Sequence, residues 1–288
     1  MYAIMGATGH VGSAVVDALL EAGEPVLALT HSAEHGDDLR RKGAEVAVVD
    51  VRDVDALRGI LKQARRAFLL NPPAAVSGDT DVGERATVTA ILAALDGSGL
   101  EKVVAESTMG AQPGERLGDL NVLYELEQGL KAQPIPAAWN RAAYYMSNWD
   151  MALEGARKDG VVPTMFPADF KLPMVAPRDL GQAAARRLTS GLDDVGLRNV
   201  EGPARYTMND VARAFADPLG RPVRAVVTPR EQWEQAFRAL GFSPAAAHSY
   251  ARMTGATLDG EMVPERETEK GPTTLEAYIA ALVGASPS

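Results

Sequence analysis

The stretch GATGHVG, Gly6 to Gly12, places glycines at positions 6, 9 and 12. It stands between a short apolar run, MYAIM, and an amphipathic stretch, SAVVDALLEAG, so it joins a predicted strand to a predicted helix. A helix N-terminus offers unpaired N–H groups and partial positive charge, which suits a pyrophosphate. Gly6 permits the tight turn, Gly9 lets the backbone approach phosphate, and Gly12 lets the helix pack closely on the sheet. With Ala7, Thr8, His10 and Val11 these residues are expected to bind a dinucleotide.

Other residues fit around that ligand. NAD sites usually carry a carboxylate at the end of the second strand, on the ribose 2′-hydroxyl. Here that strand ends LALTHSAEHG. His31 and Ser32 can donate to a 2′-phosphate, which favours NADP(H), with NAD(H) as the alternative. Arg40 and Arg41 follow on a helix and can add charge there. Asp50 and Val51 in AVVDVRD close the third strand, where Asp50 either accepts from the adenine amino group or caps the next helix. FLLNPP brings Leu70, Asn71 and Pro72 to the carboxyl end of the fourth strand, the edge at which such sheets bind ligands.

The acceptor side is read from two more segments. ESTMG supplies Ser107, Thr108 and Met109; NRAAYYMSNW supplies Tyr144, Tyr145, Asn148 and Trp149. Aromatic walls with a few polar tips suit a flat acceptor held against the cofactor. Tyr144 and Ser107 are the candidate catalytic groups, each able to give a proton or hydrogen bond to a reduced oxygen; Ser107 also counts as a cofactor contact. The alternative for the aromatics is that they fill an interface between a core and a lobe.

Behind these residues stands a regular order of elements. PVLALT, EVAVVD, RAFLLNPP, KVVAEST and PAAWNR read as strands, with helices such as VDALRGILKQA and RATVTAILAALDGSG between them. Continuous rather than alternating apolar runs mark strands buried on both faces of a parallel sheet. The expected fold is α/β, a Rossmann-like doubly wound parallel sheet with a smaller C-terminal α/β lobe. The core is assigned to residues 1–150, with 175–192 returning to it, and the substrate-side lobe to 151–288. Residues 248–266 carry no motif; were they to cover the substrate side, Tyr250 and Met253 would reach the acceptor.

Composition narrows the class. The 288 residues carry a net charge of −9, which argues against a nucleic-acid or anionic-membrane partner. There is no cysteine, so thiol chemistry and cysteine-held metals are excluded, and the four histidines are scattered, so no metal is expected. No run approaches the ~18 to 20 apolar residues of a membrane span. A cytoplasmic protein acting on a small molecule, as monomer or homodimer, is expected.

With these pieces in place the chain resembles the NmrA-like family of atypical short-chain dehydrogenases. The likeness is carried by GATGHVGSAVVDALL, GAEVAVVDVRDVDALRGIL, AFLLNPP, AWNRAAYYMSNW, LPMVAPRDLGQAAARRL and GPTTLEAYI, in that order. The resemblance implies NAD(P)H-dependent reduction of quinones or triphenylmethane dyes, or redox sensing without catalysis. Two departures stand out. NADP-binding members usually carry arginine where this chain has His31. No tyrosine here is followed four residues later by lysine, and Leu123 stands four residues before Glu127, where some relatives place Lys or His. Hydride transfer to an electrophilic acceptor depends mainly on positioning, so a reductase is the favoured reading and a binding-only sensor the alternative.

Overall fold

A computed structural model describes residues 1–285. The elements run β1 (Tyr2–Ile4), α1 (His10–Glu21), β2 (Val26–Thr30), α2 (Gly36–Arg41), β3 (Glu45–Val48), α3 (Val54–Leu61), β4 (Arg66–Leu69), α4 (Thr80–Leu95), β5 (Lys102–Thr108), α5 (Asp119–Lys131), β6 (Ala137–Ala142) and β7 (Tyr144–Tyr145). A 3₁₀ segment, Met146–Ala152, then leads to α6 (Leu153–Asp159), β8 (Val161–Thr164), β9 (Leu172–Val175), α7 (Pro177–Thr189), β10 (Gly196–Glu201), β11 (Arg205–Tyr206) and α8 (Met208–Leu219). The chain closes with β12 (Arg224–Val227), α9 (Trp233–Ala239), α10 (Pro244–Asp259), β13 (Thr268–Lys270) and α11 (Leu275–Ala285).

Eight strands form the main sheet in the order β13-β10-β6-β5-β4-β1-β2-β3, and all pair in parallel. The order reverses between β1 and β4, so a crevice opens at their carboxyl ends, directly beside the glycine loop. Both faces are covered, as the continuous apolar runs require. Val11, Val15, Val16 and Leu19 of α1 meet Leu180, Ala184 and Leu188 of α7 on one face. Leu57 and Leu61 of α3, Ile91 of α4 and Leu126 of α5 cover the other. α1 and α7 cross closely because α7 has Gly181 at the contact; a Cβ there would overlap the backbone of Ala14.

The smaller lobe has its own core, in which Met146, Trp149, Phe166, Met174, Tyr206, Phe215 and Ile279 are buried together. Two minor sheets, β11-β9-β7 and β12-β8, frame it. The expected α/β architecture with a parallel doubly wound sheet is present. Two details differ from the sequence reading. β10 and β13, drawn from the stretch assigned to the lobe, extend the main sheet alongside β6. α4 begins earlier than its apolar pattern, because Asp79 caps it by accepting from the Val82 N–H at 3.3 Å.

Candidate active site

Gly6 adopts φ 64°, in the left-handed region that glycine tolerates, and its carbonyl accepts from the Gly9 N–H at 2.9 Å. That same carbonyl lies against Gly12, where a Cβ would overlap it. Glycine is therefore required at position 12 by packing. Gly9 caps α1 without a side-chain hydrogen bond, and the first turn holds no acidic residue. The N–H groups of that turn thus face outward with no protein anion on them, as an incoming pyrophosphate requires. Ala7 and Val11 are buried anchors, whereas Thr8 and His10 are exposed. His10 Nε2 lies 3.9 Å from an Asp150 carboxylate oxygen at the start of the lobe.

At the end of β2, the buried Thr30 hydroxyl donates to the Ser32 carbonyl at 3.1 Å and accepts from the Ser32 N–H at 3.2 Å, fixing the turn. His31 is exposed, its ring centroid 6.1 Å from that of His35. Arg40 and Arg41 are each ion-paired to an aspartate of their own helix, Asp37 and Asp38. Two imidazoles, His31 and His35, therefore stand exposed beyond the end of β2. Asp50 accepts from the Arg52 N–H at 2.9 Å, while Asp53 caps α3 through Ala56. The capping alternative for Asp50 thus falls to Asp53, and Asp50 stays exposed beside Val51.

Leu70, Asn71 and Pro72 are half-buried at the end of β4, and the Asn71 side-chain oxygen is buried without a partner. The loop that follows is held from two sides. Buried Glu84 of α4 accepts from the Ala74 N–H at 3.1 Å. Ser243, the N-cap of α10, gives its N–H to the Val76 carbonyl at 2.8 Å and its hydroxyl to the Gly78 carbonyl at 2.6 Å.

The acceptor-side candidates part company. Ser107 is buried and donates its hydroxyl to Glu127 at 2.6 Å, and Arg141 clasps the same carboxylate through two bonds of 2.8 Å. The Ser107 proton is therefore directed away from the crevice, toward α5. Leu123 packs against the core on that face and handles no proton. Tyr144 and Tyr145, successive in a strand, point to opposite sides. Tyr144 turns into the lobe, 5.6 Å from the ring of Trp149 and 5.9 Å from Phe166, with its hydroxyl bonded to Asn148. Burial pushes its phenol up to about 12. Trp149 is almost wholly buried there, inside the lobe's own core. Tyr145 instead joins Leu70 and Met109 against the main core, and with partly exposed Thr108 these line the sheet edge.

Three carboxyl groups near this edge went unremarked in the sequence. Glu106, 3% exposed, has neither oxygen bonded, and burial raises its carboxyl well above the ordinary range. Its signal was visible as a charge inside the apolar run KVVAEST. Glu84 is pushed up to about 7 by burial, with Asp119 and Asp81 adding to it. Asp119 is half-buried at the start of α5, and burial raises its carboxyl too. The last two lay in segments whose helical starts were not read, so nothing in the spacing joined them. Among the described residues no group of side chains has the makings of a metal site, and no helix is long and apolar enough to cross a membrane.

The model of the NmrA-like family matches residues 2–279. The chain is 27% identical to the NAD(P)H azoreductase of Xenophilus azovorans, over 86% of this chain and 84% of that one. Among solved structures it resembles the NADPH-dependent quinone oxidoreductase of Escherichia coli complexed with NADPH, with a TM-score of 0.77 and 21% identity over 98% of this chain and 99% of that one. It also resembles the Citrobacter triphenylmethane reductase complexed with NADP(H), with a TM-score of 0.79 and 18% identity over 98% and 99% of the two chains.

Proposed function

The chain belongs to the NmrA-like family, and we propose that it is an NAD(P)H-dependent reductase that delivers hydride to a small, flat, electrophilic acceptor of quinone or dye type. One observation carries this reading. The sheet edge next to the glycine loop is left half-open by Leu70, Asn71, Pro72, Thr108, Met109 and Tyr145, which form an apolar and aromatic border with polar tips. A protein that only sensed the cofactor would have no use for an acceptor surface there.

The residues present fit a dinucleotide. Gly6, Gly9 and Gly12 with the uncapped turn of α1 hold the pyrophosphate, Asp50 and Val51 border the adenine, and His31 and Ser32 meet a 2′-phosphate. Leu70, Asn71 and Pro72 flank the nicotinamide. NADP(H) is favoured over NAD(H) because no carboxylate replaces the phosphate at the end of β2. The azoreductase, quinone oxidoreductase and triphenylmethane reductase named above point the same way. Bound NAD(P)H supplies the hydride; the chain's own task is to set the acceptor against it and to exclude alternative poses. Tyr145, rather than Tyr144, is the tyrosine that borders the acceptor.

A fluorescence titration with NADPH, NADP, NADH and NAD in one buffer tests the reading. Reduced forms should bind at least as tightly as oxidised ones, and NADPH more tightly than NADH. Binding of the oxidised forms alone would overturn the reductase and leave a sensor.

A further inference from the structure

We propose that Asp119 is the acid that protonates the acceptor. The proposal deepens the reductase reading and rests on it. Quinones and azo compounds take up a proton as well as a hydride, and the usual donors are gone. Position 123 is leucine, the Ser107 proton is held by Glu127, and the Tyr144 hydroxyl sits in the lobe on Asn148.

Two carboxyls near the open edge are free of partners, and of these Glu106 is 3% exposed and closed off, which leaves Asp119 as the one that solvent and an acceptor can reach. It is half-buried, and neither of its oxygens has a hydrogen bond or ion pair among the described residues. A turn puts it there: Gly118 before it has φ 56° and gives its N–H to Ser249 of α10 at 3.2 Å. Asp119 acts electrostatically on Glu84 of α4, Tyr145 of β7 and Tyr250 of α10, which places it where those three elements converge. Tyr145 in turn feels Glu106 of β5. The edge is furnished with polar atoms that the protein leaves unbonded, both Glu106 oxygens and the Asn71 oxygen among them.

The surroundings favour the neutral form of Asp119 over the charged one. As a first-turn residue of α5 it would gain from ionising, but burial outweighs this and raises its carboxyl. The groups facing it are Glu84, with Asp81 beyond, and the phenols Tyr145 and Tyr250; all are acidic. The nearby cations are spoken for, Arg85 by Asp81 and Glu125, and Arg116 by Asp79.

The step balances as follows. The acceptor takes the hydride with its electron pair, the Asp119 O–H bond breaks, and that proton goes to the quinone oxygen or azo nitrogen. The carboxylate left behind recovers a proton from water. A cationic triphenylmethane dye is neutralised by hydride alone and needs no proton.

Asp119→Asn is therefore to be compared with the parent protein on a quinone and on a cationic triphenylmethane dye, with NADPH, across pH. The variant should lose about tenfold or more in kcat on the quinone beyond whatever it loses on the dye. The fall of quinone kcat with rising pH should vanish in the variant. In the cofactor-free protein, carboxyl-carbon NMR should show an aspartate titrating above the ordinary range that disappears in Asp119→Asn, with the Glu84 titration moving down. Equal losses on both acceptors, an unaltered pH limb, or no such resonance would overturn the proposal. A parent protein that oxidises NADPH with neither acceptor removes the reductase reading itself, a result distinct from the other three.

Discussion

Gly12 shows how far a single position is set by contact. A methyl group there would overlap the Gly6 carbonyl, whose position closes the loop through Gly9. Gly12→Ala should weaken NADPH binding by tenfold or more, measured by fluorescence titration, because either the loop or α1 has to move. Glu127 is a second case. It is buried with Arg141 and Ser107 as its only bonded side chains among the described residues, so Glu127→Gln leaves a charged guanidinium without its partner. Breaking such a pair costs about 3 kcal/mol, and chemical denaturation should show that loss. The glycine was legible from sequence because its role follows from spacing next to a strand and a helix. The split between Tyr144 and Tyr145 was not, because it depends on which side of a two-residue strand faces the core, and two residues give no period to read.

At the scale of elements, the loop after β4 is clamped between α4 and α10. Glu84 holds Ala74, and Ser243 holds Val76 and Gly78. The clamp is pH-dependent. Glu84 titrates at about 7 in the folded protein against an ordinary value of 4.5, so the folded state binds the extra proton between those limits. Stability from this group is full below about pH 4.5 and is lost as pH rises to about 7, a change on the order of 3 kcal/mol. Glu84→Gln keeps an acceptor for the Ala74 N–H and removes the titration. The parent should therefore lose stability relative to this variant between pH 5 and pH 8 in urea unfolding. A constant difference across that range would contradict the account. α10 was not read from sequence, and its docking on α4 is a contact between segments far apart in the chain.

Over the whole molecule, the alternation of strands and helices in the first half prescribed a sheet buried on both faces, and the crevice follows from the reversal of strand order between β1 and β4. The addition of β10 and β13 was hidden because GLRNVE and TEK carry polar residues unlike a buried run; each lies at or next to the sheet's edge. The lobe's core, built from Phe166, Phe215 and Ile279, takes up Trp149 and Tyr144, while Tyr145 packs against the main core. The geometry of the glycine loop could be read because it obeys local rules, whereas the group of Glu84, Glu106 and Asp119 is assembled from α4, β5 and α5 by the fold alone.

Hydride transfer from bound NADPH to an acceptor at the sheet edge beside the glycine loop is the property on which the proposed function stands. Single-turnover mixing of the NADPH-loaded protein with a quinone, followed by NADPH absorbance, addresses it directly. Rapid loss of the reduced cofactor is expected in step with quinone reduction, slowed when the transferred hydrogen of NADPH is deuterium. Tight NADPH binding with no oxidation by any quinone or cationic dye would contradict it.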